Sequence, residues 1–353
     1  MTINAIKILM PAILSFSIGI LLSPFFIKIL LKYEMWKKKN VEKALDGSAA
    51  ILTQKIHNDE IKKVPRLGGA VIWFSVILTS FIFWIFPRIF DIFPEKIDFI
   101  SRNQTWLIIF GMLFAGILGG LDDISSCGKK VFLIGNKGLS FLWRLVIIFT
   151  LSLAMGYWFF YKLGFTSIFI PFFGSFYVGI SIIFLISFFT IVMFSTSIID
   201  GIDGLSGGLF AIAFASFGII AVSQSQIDIA AFCFAVVGAC FAFLWFNIAP
   251  AKFYNSETGI LSLIISLTLV AFLTNQILSL IIISIPLLSA PVSAVIQILS
   301  KKYRNGKKVF LIAPIHYHFQ MKGMQQSSIV MKYWVSGIIC SFLGIVFALA
   351  GSL

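Results

Sequence analysis

Charged side chains are scarce in this sequence, and their scarcity excludes a water-soluble fold. Only 12% of the 353 residues are Asp, Glu, Lys or Arg, whereas 59% are hydrophobic and 40 are Phe. A soluble domain of this size has too little interior to hide that much apolar surface, so the solvent is a bilayer. We therefore expect an all-α polytopic membrane protein, since an apolar helix of about 20 residues spans the hydrocarbon.

Cysteine is also rare, which excludes a disulfide framework or a zinc site. The four cysteines have no metal-type spacing, and three of them lie in apolar runs: Cys127, Cys233, Cys240 and Cys340. We interpret them as packing residues. The sequence also lacks internal repeats and any stretch typical of a soluble domain, so a single integral membrane domain is expected over residues 1–353.

Ten apolar runs predict about ten transmembrane helices. They lie at roughly 5–31, 69–90, 105–121, 140–161, 177–197, 205–224, 228–248, 258–273, 277–299 and 333–351. The first run is longer than a signal-peptide core and has no clear cleavage site, so we expect it to be retained as a helix. Between the first two runs, a short amphipathic surface piece is predicted around Val41–Leu52.

The formal net charge is +13, and the basic residues that produce it are concentrated in a few connections. They cluster in 32–68, 122–139 and 300–332, which are all odd-numbered connections between the predicted helices. The positive-inside rule then places the odd connections in the cytoplasm and both termini outside. Clustering of this kind favours membrane orientation and an anionic substrate over nucleic acid.

Acidic residues are few, and two pairs stand at predicted helix ends. Asp122 and Asp123 follow Gly119-Gly120, where acids often simply mark a return to water, but a basic loop follows them. Asp200 and Asp203 stand in a D-G-x-D-G segment without a Lys or Arg nearby, and at helical spacing they would share one face. Acids without a partner next to apolar runs indicate a site for a cation.

Two further segments carry polar chemistry in odd connections. Glu257 opens the eighth run and offers a hard oxygen ligand of the kind that magnesium takes, although a helix-start acid can also serve the helix dipole. His316 and His318 are two of the three histidines and follow a basic stretch, where they could contact a diphosphate. All these segments share the predicted cytoplasmic face, which predicts an active site there.

Together, these segments resemble the polyprenyl-phosphate N-acetylhexosamine-1-phosphate transferase family, also called glycosyltransferase family 4. The segments that carry the resemblance are Pro65-Arg-Leu-Gly-Gly69, Leu121-Asp-Asp123, Asn136-Lys-Gly-Leu139, Ile199-Asp-Gly-Ile-Asp-Gly204, Asn247 to Gly259, and Ala313 to Gly323. The resemblance implies a membrane transferase of about ten helices that moves a sugar-1-phosphate from a UDP-sugar to a lipid phosphate.

The resemblance also implies roles for individual residues. Asp122 or Asp123 would deprotonate or orient the lipid phosphate, with a covalent aspartyl intermediate as the alternative. Glu257, with Asp123, would bind Mg²⁺ on the diphosphate, and Asp200 and Asp203 would contact the nucleotide side or the metal shell. The remaining candidates are the substrate-binding Lys62, Lys63, Lys137, Ser197 and Asn247 and the catalytic His316 and His318. Lys62, Lys63 and Arg66 are equally typical of lipid-headgroup contacts.

The resemblance divides between two branches of the family. The segment Ala313 to Gly323 is similar to the branch that transfers phospho-N-acetylmuramoyl-pentapeptide from its UDP-sugar to undecaprenyl phosphate, whereas Pro65-Arg-Leu-Gly-Gly69 is similar to the N-acetylglucosamine-1-phosphate branch. Three positions depart from the family pattern: Ser197 stands for Asn, Glu257 for the metal-binding Asp, and Tyr317 interrupts a histidine triplet.

We expect the first donor, with UDP-N-acetylglucosamine or another UDP-HexNAc as the alternative. A secondary transporter is the alternative of another class, but transporters usually place acids near the bilayer midplane in repeated, broken helices. The resemblance places the protein in the bacterial inner membrane and leaves a homodimer open.

Overall fold

The computed structural model describes residues 2–36, 63–89, 97–100, 103–131, 135 and 138–351. Twelve α-helices account for most of these residues, as the composition predicts. The first six are α1 (Thr2–Lys32), α2 (Ala70–Ile89), α3 (Asn103–Ser126), α4 (Phe141–Tyr161), α5 (Ile182–Phe194) and α6 (Leu205–Ser223). The others are α7 (Ile227–Asn247), α8 (Ser256–Leu273), α9 (Ile277–Ile283), α10 (Ile285–Tyr303), α11 (Ile315–Met321) and α12 (Gln326–Ala350).

The predicted apolar runs correspond to these helices. Within the described part of the chain, nine helical segments are long and apolar enough to cross a membrane, or ten if one bent pair is a single span. The fold is therefore an all-α polytopic membrane fold, and that prediction is confirmed. The amphipathic piece predicted around Val41–Leu52 lies outside the described residues.

The bent pair is α9 and α10, which the sequence predicted as one run over 277–299. The two helices meet at Ser284 and differ in direction by 74°. Pro286 stands in the first turn of α10, where its missing N–H costs nothing but where it cannot continue a preceding helix. The single predicted run is therefore two helices.

A short β-hairpin between α4 and α5 was not predicted. Strands β1 (Ser167–Ile170) and β2 (Gly174–Tyr177) pair antiparallel, with Ile170 opposite Gly174. The strand residues are largely aromatic and β-branched, which favours extended backbone. The apolar run pattern does not reveal so short a pair of strands.

Helix α8 lies at the centre of the bundle, and its first turn lies next to the polar residues at the end of α3. All of its residues from Thr258 to Leu273 are buried. Helix α3 packs closely along it, and a Cβ on Gly119 would lie 2.4 Å from the carbonyl oxygen of Glu257. This contact, which only glycine allows, places the end of α3 against the start of α8. Asp122 and Asp123 of α3 therefore lie near Glu257 of α8.

Candidate active site

Asp122 and Asp123 lie at the end of α3 and are almost completely buried, with 2% and 0% of their surface exposed. Buried carboxylates require charged or hydrogen-bonding partners. Both residues find them in other segments of the chain, so the acids at this helix end do not simply return to water.

Arg144 joins Asp122 to Glu257. Its Nη2 lies 2.9 Å from Asp122 Oδ2, and its Nη1 lies 2.6 Å from Glu257 Oε1. The second oxygen of Asp122 accepts a hydrogen bond from the Leu139 backbone N–H at 2.5 Å. Arg144 stands in the first turn of α4, which Ser140 caps by accepting from the Trp143 N–H. The start of α4 thus delivers a guanidinium between two acids.

Arg66 performs a similar task for Asp123. Its Nη2 lies 3.0 Å from Asp123 Oδ1, and its Nε donates to Ser256 Oγ over 3.2 Å. The other oxygen of Asp123 accepts from the Thr258 backbone N–H at 2.9 Å. Arg66 precedes α2, so the charged residues of this cluster come from three helices and one connection.

Asp200 is tied to the same cluster through the start of α8. One of its oxygens accepts from Ser206 Oγ at 2.6 Å, and the other accepts from the Ser256 N–H at 2.8 Å. Asp203 Oδ2 accepts from the Ala251 N–H at 3.0 Å. Burial raises the pKa of Asp200, and the hydrogen bonds from Ser206 and Ser256 act against that rise.

The helical spacing expected for Asp200 and Asp203 is wrong, because the segment between them is a turn. Asp200 ends a 3₁₀ helix over Ser195–Ile199 with ψ of 51°, and Gly204 has a φ of 80° before α6 begins. Such a positive φ favours glycine and breaks the helix. The two carboxylates consequently face different backbone N–H groups.

Asn247 holds this turn in place. Its side-chain oxygen accepts from the Gly204 N–H at 2.9 Å, and its side-chain nitrogen donates to the Phe253 carbonyl at 2.8 Å. Both ends of the amide are therefore engaged with backbone, which makes Asn247 a bridge between the Asp200 turn and the approach to α8.

The histidines of α11 lie in two different environments. His316 is fully buried beside Gly201, and neither ring nitrogen has a hydrogen-bond partner among the described residues. Burial lowers its pKa to about 4, so the ring is neutral near pH 7. Tyr317 donates to the Gly201 carbonyl at 3.1 Å. His318 is more exposed and accepts from the Leu311 N–H at 3.1 Å. The structure thus brings His316 to the Asp200 turn and turns His318 towards Leu311.

The other predicted residues contribute less to the cluster. Ser197 is half-buried in the 3₁₀ helix, where its carbonyl accepts from the Asp200 N–H at 3.3 Å. Lys63 is exposed. Lys62 and Lys137 lie outside the described residues.

The cluster fits a divalent cation that also binds substrate. Glu257 Oε2 is buried without a hydrogen-bond partner within the described chain, although Oε1 is paired with Arg144. No three His, Cys, Asp or Glu side chains among the described residues are placed to hold a metal by themselves. Magnesium commonly takes only one or two carboxylates and completes its shell with water and substrate phosphates. Glu257 Oε2 can supply one such ligand, whereas the two oxygens of Asp123 are already paired with Arg66 and the Thr258 N–H.

Sequence reasoning missed Arg144 and the role of Ser256. Arg144 sits in an apolar run, and a lone basic residue there is itself a signal, because charge inside a membrane segment is costly without a partner. Ser256 offered no such signal, since its role depends on a backbone φ of 57° that aims its N–H at Asp200.

Comparison with known proteins gives two findings. The sequence model of the family described as "Glycosyl transferase family 4" matches residues 105–275. The chain is 33% identical over 339 residues to the phospho-N-acetylmuramoyl-pentapeptide-transferase of Geobacillus sp. (strain WCH70), covering 94% of this chain and 95% of that protein. It is 33% identical over 352 residues to the protein of the same name from Bacillus thuringiensis (strain Al Hakam), covering 96% and 97%. The Bacillus pumilus (strain SAFR-032) protein of that name is 31% identical over 347 residues, with the same coverage.

Proposed function

The chain belongs to glycosyl transferase family 4 and is a transferase, and we propose that it transfers phospho-N-acetylmuramoyl-pentapeptide from its UDP-sugar to undecaprenyl phosphate. UMP is the leaving group, and the product is the first lipid intermediate of peptidoglycan synthesis. Full-length similarity to proteins named for this reaction supports the proposal.

The observation that carries the proposal is the excess of acid over base within the buried cluster at one end of the bundle, the acid-rich end, whose surrounding connections are basic. Five carboxylates face two guanidinium groups there: Asp122, Asp123, Asp200, Asp203 and Glu257 against Arg66 and Arg144. An anionic donor and an anionic acceptor repel each other and also repel these acids. A site of this composition requires further positive charge before the two phosphates can approach.

We propose that Mg²⁺ supplies this charge, held by Glu257 and Asp123 together with the donor's diphosphate. When bound, it would neutralise the phosphate oxygens and stabilise the charge that develops on the leaving UMP. Glu257 Oε2 is buried and has no hydrogen-bond partner in the described part of the chain, which supports this placement.

The chain's own residues would orient the two substrates. Asp122 or Asp123 would accept the proton of the lipid phosphate or orient it for in-line attack, and a covalent aspartyl intermediate remains the alternative. Asp200 and Asp203 would contact the nucleotide side, and Asn247 would support them by fixing the turn that carries them. The neutral ring of His316, next to Gly201, would donate or accept a hydrogen bond there without adding charge.

The basic residues and Ser197 would assist at the edge of the site. Lys62, Lys63 and Lys137 would hold the sugar-phosphate region or the lipid headgroup, and Ser197 would line the nucleotide side near Asp200. His318 would contact the donor from the more exposed part of α11.

We further propose that the acid-rich end faces the cytoplasm and that both termini lie outside. The concentration of Lys and Arg in the odd connections supports this orientation. The chain is a multi-pass membrane protein, and its relatives are bacterial, which supports the inner membrane as its location. A single transferase domain over 1–353 and a homodimer stay predictions.

UDP-N-acetylglucosamine, or another UDP-HexNAc, is the alternative donor. Arg66 belongs to the segment that resembles the N-acetylglucosamine-1-phosphate branch, and it contacts Asp123 inside the cluster.

Purified protein in detergent, undecaprenyl phosphate and Mg²⁺, incubated with each UDP-sugar in turn, would separate the two donors. We expect UMP release and a labelled lipid product with the N-acetylmuramoyl-pentapeptide donor. A lipid product from UDP-N-acetylglucosamine alone would establish the alternative. No UMP from any UDP-sugar, with folded protein, would contradict the proposed reaction.

A further inference from the structure

Arg144 bridges Asp122 and Glu257, and Glu257 is one of the two acids proposed to hold the divalent cation. Its two terminal nitrogens contact one oxygen of each acid, at 2.9 Å and 2.6 Å. The planar guanidinium suits such a two-carboxylate bridge, since it presents parallel donors in a fixed fork. A second positive group that binds the same carboxylate is repelled by the guanidinium at close range.

The two arginines of the site are held in different ways. Arg66 is anchored independently of the acids, because its Nε donates to Ser256 Oγ. The Nε of Arg144 is buried and has no hydrogen-bond partner in the described chain. Its guanidinium is therefore held by the acids alone, and a quarter of the side chain is exposed. Arg144 is therefore the arginine that can be displaced from its contacts with the acids.

Glu257 offers an oxygen to which a competing cation can bind. Its Oε2 is buried without a hydrogen-bond partner among the described residues, while Oε1 is paired with Arg144. A cation that binds Oε2 lies on the same carboxylate as the guanidinium at Oε1, so the two positive groups repel each other and Arg144 weakens its binding.

We propose that Arg144 is a resident counter-cation that competes with the divalent metal for Glu257, so that the free enzyme holds the metal weakly. The inference rests on the magnesium site proposed above. It makes Arg144 a positioning residue, which keeps the acids charge-balanced and in place before substrate arrives.

The test measures metal binding by the full chain in detergent without any substrate. Mn²⁺ replaces Mg²⁺ as the probe, and the paramagnetic resonance signal of the free ion reports how much is bound. Arg144→Gln should bind Mn²⁺ about tenfold more tightly than wild type, which lies within the range typical of coupling between two binding sites. Damage to the fold would weaken metal binding, so a gain cannot come from a merely structural role.

Two further variants keep the test decisive. In Arg144→Lys the ammonium is a single point charge that cannot bridge both acids as a fork, so we expect an affinity between those of wild type and Arg144→Gln. This variant decides the matter if Arg144→Gln does not fold. Adding Glu257→Gln to either Arg144 variant should abolish the gain, and Arg88→Gln, which breaks the distant pair with Asp98, should leave Mn²⁺ affinity unchanged.

Unchanged or weaker Mn²⁺ binding in the folded Arg144 variants would overturn the inference. The assay contains no donor, so its outcome is independent of the reaction. Tighter binding in a protein that releases no UMP would leave the counter-cation intact and remove the proposed function, whereas normal turnover with unaltered Mn²⁺ affinity would do the reverse.

Discussion

The two ends of the bundle differ in how their acidic residues are paired with basic ones. At the end opposite the site, Lys7 of α1 pairs with Asp228 in the first turn of α7 at 2.5 Å, and Arg88 pairs with Asp98 at 3.0 Å. The 21 residues of α7 separate Asp228 from Asn247 by about 30 Å. At the Asn247 end, by contrast, two arginines pair with three acids of a cluster that contains five.

The difference teaches how to distinguish a structural ion pair from a binding site. One acid matched by one base satisfies a buried charge and leaves nothing for a ligand. An excess of acids, with the buried Glu257 Oε2 lacking a hydrogen-bond partner among the described residues, leaves room for a further cation. Substitutions at the two ends should therefore change different measured quantities.

The largest expected effect is on turnover at the acid-rich end. Asp122→Asn and Asp123→Asn keep the shape of the side chain but remove the charge, so each should lower transfer of labelled sugar-phosphate into lipid by about a hundredfold or more. Circular dichroism and thermal unfolding should show folded protein in both. Asp98→Asn is the matched control at the opposite end and should retain turnover. Full activity in either site variant would refute the roles assigned here.

The next effect is on stability at the opposite end. Lys7→Met leaves Asp228 buried with its ion-pair partner removed, which should cost about 3 kcal/mol in the free energy of unfolding. Turnover per folded molecule should stay near that of wild type. The double substitution Lys7→Met with Asp228→Leu should recover most of the lost stability. If Lys7→Met lowered turnover per folded molecule as well as stability, the two ends of the bundle would not differ as described.

A smaller effect separates strain from hydrogen bonding at Ser256. Its φ of 57° is unfavourable for any side chain, and its hydroxyl accepts from Arg66. Ser256→Gly and Ser256→Ala both remove the hydroxyl, but only glycine relieves the strain. Thermal unfolding should therefore show the Gly variant more stable than the Ala variant by about 1 kcal/mol. Identical stabilities would indicate that the backbone there is not strained.

The smallest expected effect belongs to Tyr317, the residue that interrupts the histidine triplet. Tyr317→Phe removes the hydrogen bond to the Gly201 carbonyl and should cost about 1 kcal/mol of stability. Turnover should fall by less than in the Asp variants, because the tyrosine positions the turn and carries no charge. A loss of turnover as large as that of Asp122→Asn would assign the hydroxyl a direct part in the reaction.

Much of the fold was open to prediction because apolar length alone determines a membrane helix. The runs at 205–224 and 258–273 lie within two residues of the observed α6 and α8. The bend at Ser284 and the β-hairpin were not predicted, since both lie inside or between apolar stretches and change backbone direction without changing composition.

The sequence predicted which residue types form the candidate site but not which residues contact one another. The acids were visible because charge is rare in this sequence, whereas their partners were not. Arg144 meets Glu257 across 113 positions and Arg66 meets Ser256 across 190, and periodicity does not report such distances. The turn between Asp200 and Asp203 was misjudged because their spacing fits a helix and the positive φ of Gly204 does not.

The most direct measurement compares UMP release by Glu257→Gln with release by Asp228→Asn, each normalised to folded protein and supplied with both substrates and Mg²⁺. Both substitutions remove one carboxylate charge near the start of a membrane helix, one at each end of the bundle. We expect Glu257→Gln to release almost no UMP and Asp228→Asn to release it at close to the wild-type rate. Equal rates in the two variants would contradict the assignment of the acid-rich end as the transferase site.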